Sequence, residues 1–130
     1  MSTIKAIEVR LDVEDVSRSA GFYAHALGFE IDTMWPDEAP QFAILRRDGL
    51  RLQLGSSASD TRVAQRAPCT LWLDVAAIGE LYTALQDKVR IEWGPEVYFY
   101  HRREFAFRDP DGHWVILSEV TDDPPTCEEA

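Results

Sequence analysis

From Glu8 to Val13 charged and apolar residues alternate one for one, with Val9, Leu11 and Val13 on one face and Glu8, Arg10 and Asp12 on the other. A period of two is the pattern of a half-buried strand. The period then lengthens: Val16, Ala20, Tyr23 and Leu27 recur at helical spacing. Asp15 stands ahead of them as a side-chain cap and Gly28 behind them as a stop. Further strands are predicted over Phe29–Trp35, Gln41–Arg46 and Leu50–Leu54, the last two joined by Asp48-Gly49, a hairpin turn signal.

The same order returns in the second half. Leu71, Leu73 and Val75 alternate with Thr70, Trp72 and Asp74; Ile78, Leu81, Tyr82 and Leu85 mark a helix. Strands are expected at Val89–Trp93, Arg103–Arg108 and Trp114–Glu119, with Asp109-Pro110-Asp111-Gly112 as the turn before the last. Val13 aligns with Val75, Asp12 with Asp74 and Val16 with Ile78, an offset of 62 residues that grows by one at Asp111-Gly112. Such self-similarity marks a duplicated unit. The expected fold is α+β: a single domain over residues 1–120, made of two βαβββ modules at about 4–55 and 69–120. Their strands are expected to form a curled mixed sheet around a ligand-sized cavity, with a linker at 56–68. Residues 121–130 read as an acidic, flexible tail, because Asp122-Asp123-Pro124-Pro125 suits neither sheet nor helix.

Composition narrows the function classes. With 130 residues and 45% hydrophobic content the chain can build a core without disulfide or metal staples. No apolar run approaches the roughly 18 residues that span a bilayer, so no membrane partner is expected. Met1-Ser2-Thr3-Ile4-Lys5 lacks the form of a signal peptide, and Cys69 and Cys127 share no metal or redox spacing. A cytoplasmic location is the expectation. The formal net charge is −10, and setting aside the four carboxylates of the tail still leaves −6. Such a field disfavours nucleic acid and favours cationic partners; ordinary solubility accounts for it equally well.

The strand faces turned away from the core carry Glu8, Arg10 and Asp12; Arg51 and Gln53; Thr70, Trp72 and Asp74; Trp114, Ile116 and Ser118. Polar and aromatic groups mixed in this way commonly line ligand sites. A sheet face against water or a second subunit would carry the same mixture.

Two segments are similar to the vicinal oxygen chelate superfamily, which includes glyoxalases, extradiol dioxygenases and bleomycin-resistance proteins. They are Val13-Glu14-Asp15-Val16-Ser17-Arg18-Ser19-Ala20-Gly21-Phe22-Tyr23 with Leu27-Gly28-Phe29, and Arg103-Glu104-Phe105-Ala106-Phe107-Arg108-Asp109-Pro110-Asp111-Gly112-His113. With the internal repeat, the likeness covers about residues 4–120. The resemblance implies metal ligands at Glu8, Gln53, Thr70 and Ile116. Only the first two carry suitable oxygens, whereas catalytic Zn or Fe sites usually take three protein ligands. No metal, no cofactor and no catalytic nucleophile is therefore expected. Among the histidines, His25 falls near a helix end and His113 at the edge of a turn, while His101 lies in a loop that either leans over a cavity or leaves it an ordinary surface residue.

A cavity of this superfamily without a metal set resembles its drug-binding branch. The expected function is then non-catalytic sequestration of a small natural product with planar heteroaromatic or cationic groups, by a homodimer. Trp35, Trp72, Trp93, Trp114, Tyr98, Tyr100 and Phe42 would supply stacking surfaces. Glu8, Arg10, Gln53, Thr70, Asp74, Ile116 and His101 would complete the ligand contacts. Val97-Tyr98-Phe99-Tyr100 reads equally as a subunit contact. The alternative is a glyoxalase-like lyase, isomerase or dioxygenase with a degenerate or metal-free site and Glu8 as its base.

Overall fold

The computed structural model describes residues 2–56 and 68–127. The chain divides into two compact units, residues 1–67 and 68–130. Most of the expected linker and the last three residues lie outside the described residues. No helix among the described residues is long and apolar enough to cross a membrane.

In the first unit the elements are β1 (Val9–Val13), α1 (Val16–Leu27), β2 (Glu30–Trp35), β3 (Phe42–Arg47) and β4 (Leu50–Ser56). The sheet order is β1-β4-β3-β2, with β1 parallel to β4 and the remaining pairs antiparallel. The helix forms where the sequence pattern places it. Asp15 Oδ1 accepts from the Arg18 amide at 3.1 Å, and Gly28 stops α1 in the left-handed region at φ 69°. Asp48 and Gly49 both have positive φ, 50° and 79°, the geometry of a tight two-residue hairpin. Leu11, Val13, Leu45, Leu52 and Leu54 are buried, as are Val16, Ala20, Tyr23 and Leu27 of α1. These residues are the core of the unit, and the sheet face bearing Arg10 and Gln53 is turned away from it.

The second unit repeats the order with β5 (Thr70–Asp74), α2 (Ile78–Leu85), β6 (Trp93–Tyr98), β7 (Arg102–Arg108) and β8 (Trp114–Val120), arranged β5-β8-β7-β6. The parallel pair here is β5 with β8. Phe105, Phe107, Val115 and Leu117 are buried with Ile78 and Leu85 of α2. Residue 77 before α2 is an alanine at φ 57°, with no side chain to cap the helix. Glu119 of β8 takes that role: its carboxylate accepts from the Ala77 amide at 2.9 Å and the Ile78 amide at 3.1 Å. The Asp109 carboxylate closes the turn before β8, accepting from Asp111 and His113 amides, each at 2.9 Å.

Two expectations are corrected. The strand expected at Val89–Trp93 begins only at Trp93 and runs to Tyr98, because the Val89 amide is bonded back to Leu85 O at the end of α2. Gly94-Pro95 sits within β6, at a register shift between Trp93 and Glu96. A Cβ at Gly94 would fall 2.3 Å from Glu104 O, so only glycine permits this approach. Val97, read as part of a loop or subunit contact, is buried in β6.

The second correction concerns the start of the tail. Residues 121–127 are hydrogen-bonded to the second unit. Thr126 N donates to Val97 O at 2.9 Å and Val97 N to Thr126 Oγ1 at 2.8 Å, while Asp123 pairs with Arg103 at 2.6 Å. Prolines 124 and 125 stop the segment from becoming a strand, yet they do not prevent one threonine from mimicking a strand partner.

Candidate functional site

Register fixes which side chains share the face opposite each helix. In the second unit Thr70 pairs with Trp114, Trp72 with Ile116 and Asp74 with Ser118. Across the sheet, Ser118 pairs with Glu104 and Glu104 with Glu96, while Arg102 pairs with Tyr98 and Ala106 with Trp93. This face is built on a buried carboxylate. Glu104 is 1% exposed; its Oε1 accepts from the Tyr100 hydroxyl at 2.7 Å and its Oε2 from Ser118 Oγ at 2.8 Å. Ser118 Oγ accepts in turn from Arg102 Nη1 at 3.1 Å, and the same nitrogen meets Asp74 Oδ1 at 3.1 Å. A continuous polar chain thus runs Asp74, Arg102, Ser118, Glu104, Tyr100.

Aromatic rings stand beside this chain. Tyr98 stacks on Tyr100 with centroids 5.6 Å apart and planes 5° from parallel. Trp93 meets Tyr98 edge-on at 6.1 Å, and Trp72 lies 6.4 Å from Tyr100. Burial, the hydrogen bond to Glu104 and then the Glu104 charge hold the Tyr100 hydroxyl far above the usual phenol range. Burial, followed by the charges of Cys127, Glu104 and Glu96, raises Tyr98 as well. Both phenols are therefore neutral donors at ordinary pH. Trp72 is 53% exposed and offers an open ring, whereas the Trp114 ring carries Arg108 Cζ at 4.3 Å.

In the first unit Arg10 pairs with Gln53, Gln53 with Ile44, Phe42 with Gly55 and Trp35 with Phe42. Glu8 uses both oxygens: Oε2 accepts from Arg51 Nη1 at 3.2 Å and Oε1 from Gln53 Nε2 at 2.9 Å. Trp35, 66% exposed, lies at the end of β2. A hollow of about 390 Å³ in this unit is lined by Gly28, Glu30, Arg46, Arg47, Asp48 and Gly49, none of them an expected ligand contact.

The donor set does not fit a catalytic metal. Glu8 and Gln53 are bonded to each other, Thr70 offers one hydroxyl and Ile116 no donor. Among the described residues no group of three or more His, Cys, Asp or Glu is arranged to hold an ion. His25 is exposed in the last turn of α1, and His113 is buried with Nδ1 accepting from the Cys69 amide at 2.8 Å. His101 is an exposed turn residue at φ 63° between β6 and β7.

Of the expected ligand residues, Trp72, Asp74, Trp93, Tyr98 and Tyr100 are linked to Glu104, directly through Tyr100 or by ring contacts and hydrogen bonds that lead to it. Glu8, Arg10, Gln53, Phe42 and Trp35 belong to the first unit's face. Glu104 and Arg102 were not among the expected contacts. Alternation along Arg103-Glu104-Phe105-Ala106-Phe107 carries the signal, since Glu104 must turn away from the face that buries Phe105 and Phe107.

The sequence model of the Glyoxalase/Bleomycin resistance protein/Dioxygenase superfamily matches residues 5–117. The chain belongs to this superfamily. None of the curated proteins matches this glyoxalase-superfamily chain in sequence. Among solved structures it is similar to TioX from Micromonospora sp. ML1, with TM-score 0.80, 16% identity, and coverage of 89% of this chain and 98% of that one. A lactoylglutathione lyase from Agrobacterium tumefaciens gives TM-score 0.77 at 17% identity, covering 91% and 95%. A superfamily member from Sphaerobacter thermophilus DSM 20745 gives 0.73 at 24% identity, covering 89% and 98%. At these identities the likeness carries the glyoxalase/bleomycin resistance fold.

Proposed function

We propose that this glyoxalase-superfamily protein binds and sequesters a small natural product through the face of its second unit opposite α2, without turning it over. The ligand class is a planar heteroaromatic compound with a cationic group. One observation carries the reading: Tyr100, stacked on Tyr98 and neighboured by the half-exposed Trp72, donates to the buried Glu104 carboxylate. Aromatic faces attract cations by about 0.5–2 kcal/mol each, and a carboxylate held among them adds charge complementarity. The two hydroxyls bonded to Glu104 fix the position of its carboxyl group. The donor chemistry of Glu8, Gln53, Thr70 and Ile116 leaves metal-assisted turnover without a ligand set.

The test is binding of N-methylacridinium, a planar aromatic cation, followed by tryptophan fluorescence and thermal melting. Saturable quenching, a raised Tm and chemically unchanged dye are expected, with about tenfold weaker binding in Trp72→Ala. Unchanged fluorescence and Tm across a panel of such cations would overturn the reading.

A further inference from the structure

Arg102 opens β7 on the face of the second unit turned away from α2, in register with Tyr98 and two residues before Glu104. One nitrogen makes all of its bonds within the protein: Nη1 donates to Asp74 Oδ1 and to Ser118 Oγ, each at 3.1 Å. Nε and Nη2 have no hydrogen-bond or ion-pair partner among the described residues, and neither belongs to the fully buried atoms left without one. These two nitrogens share one edge of the guanidinium. Their N–H bonds run parallel, at the spacing of the two oxygens of a carboxylate. The side chain as a whole is 26% exposed. A fork of donors needs only its edge to reach a ligand, and a packed stem holds that edge in position before the ligand arrives.

The bonds of Nη1 also fix where the fork lies. Ser118 Oγ donates to the buried Glu104 carboxylate, which in turn holds the Tyr100 hydroxyl. A ligand whose cation lies against Tyr98, Tyr100 and Trp72 therefore finds a double donor on the same face. Charge selects what that donor receives. Arg102 stands between two carboxylates, Asp74 and Glu104, and a plain anion meets the repulsion of both. A zwitterion escapes it: its cation answers the carboxylates and the rings, and its own carboxylate takes the free fork. Asp74 competes weakly for the arginine, because its side chain is 74% exposed and its charge is screened by water.

We infer that the ligand of this face is a zwitterion, its carboxylate gripped by Nε and Nη2 of Arg102 and its planar cation by the aromatic rings. The inference rests on the reading of this face as a ligand site.

The test compares an N-methylacridinium bearing a ring carboxylate with the methyl ester of the same compound, which keeps the ring and the cation and loses the acid. Tryptophan fluorescence titration of the whole chain is expected to show the carboxylate binding at least about tenfold more tightly than the ester. In Arg102→Lys, which keeps the charge and loses the fork, that preference is expected to shrink to about threefold or less. In Asp74→Asn, which removes the competing charge, it is expected to grow. Nitrogen–proton NMR reads the contact without any variant: the Arg102 Nε–H resonance should move downfield and saturate with the carboxylate, and move far less with the ester. Equal affinity for the two probes with Arg102 Nε–H unmoved would overturn the inference and spare the aromatic cation site. A preference undiminished in Arg102→Lys would do the same. Failure of both probes to bind would remove both readings.

Discussion

Glu104 is the residue whose removal tests the candidate site most directly. Its carboxylate is 1% exposed and accepts two hydroxyl hydrogen bonds, at 2.7 and 2.8 Å. Hydrogen bonds to a charged group are worth about 1.5–3 kcal/mol each, set against the cost of keeping the charge out of water. In Glu104→Ala the Tyr100 hydroxyl and the fully buried Ser118 Oγ lose their acceptor, and a void replaces the side chain. We expect a loss of about 3–5 kcal/mol. Glu104→Gln keeps shape and one acceptor but turns a donor toward one of the hydroxyls. Ser118 already accepts from Arg102, so it can accept again only by losing its own acceptor, and about 1–2 kcal/mol is expected. Urea unfolding at neutral pH measures both, and a typical total stability of about 5–15 kcal/mol makes the first loss conspicuous. The triple variant Glu104→Met, Tyr100→Phe, Ser118→Ala removes the charge with its partners and should recover much of the loss. A Glu104→Ala protein within about 0.5 kcal/mol of the parent would refute the assignment of Glu104 as the electrostatic centre of this face.

Three further outcomes follow from single contacts. Glu119→Ala should cost about 1–2 kcal/mol in denaturant unfolding, since Ala77 brings no cap of its own to α2. Thr126→Val should speed hydrogen exchange at the Val97 amide, which loses its acceptor, while amides of β3 and β4 stay unchanged. Tyr100 gives a pH dependence of known sign. Its proton is held above the ordinary value of 10.0 in the folded protein, so its contribution is fully present below that pH and lost as pH rises beyond it. Absorbance titration should show Tyr100 ionising late, and Tyr100→Phe should flatten the fall of Tm in alkali.

Most of the architecture was legible because its cues are local. Asp15, Gly28 and Asp48-Gly49 act within a few residues of themselves, and the repeat supplied each element twice. Failure came at β6, whose start was set too early: the Val89 amide folds back on Leu85, and Gly94 packs against the backbone of Glu104 and Phe105 within the strand. The cap of α2 was equally invisible, since Glu119 lies 42 residues from Ala77. For the site, alternation alone put Trp72 and Asp74 on the face opposite the helix. The importance of Glu104 depends on the Tyr100 and Ser118 hydroxyls meeting it, and spacing does not reveal that meeting.

The pairing of Thr126 with Val97 bears on how this protein behaves in concentrated solution. β6 is the last strand of its sheet, and at Val97 the amide and carbonyl that point outward are already taken by the segment after β8. Cutting the chain after Val120 would bare that rim, leaving unpaired backbone groups beside exposed Phe99 as a template for another chain. The shortened protein should then self-associate as its concentration rises, although its fold and core are untouched. The segment after β8 therefore covers one strand rim of the second unit through a single threonine.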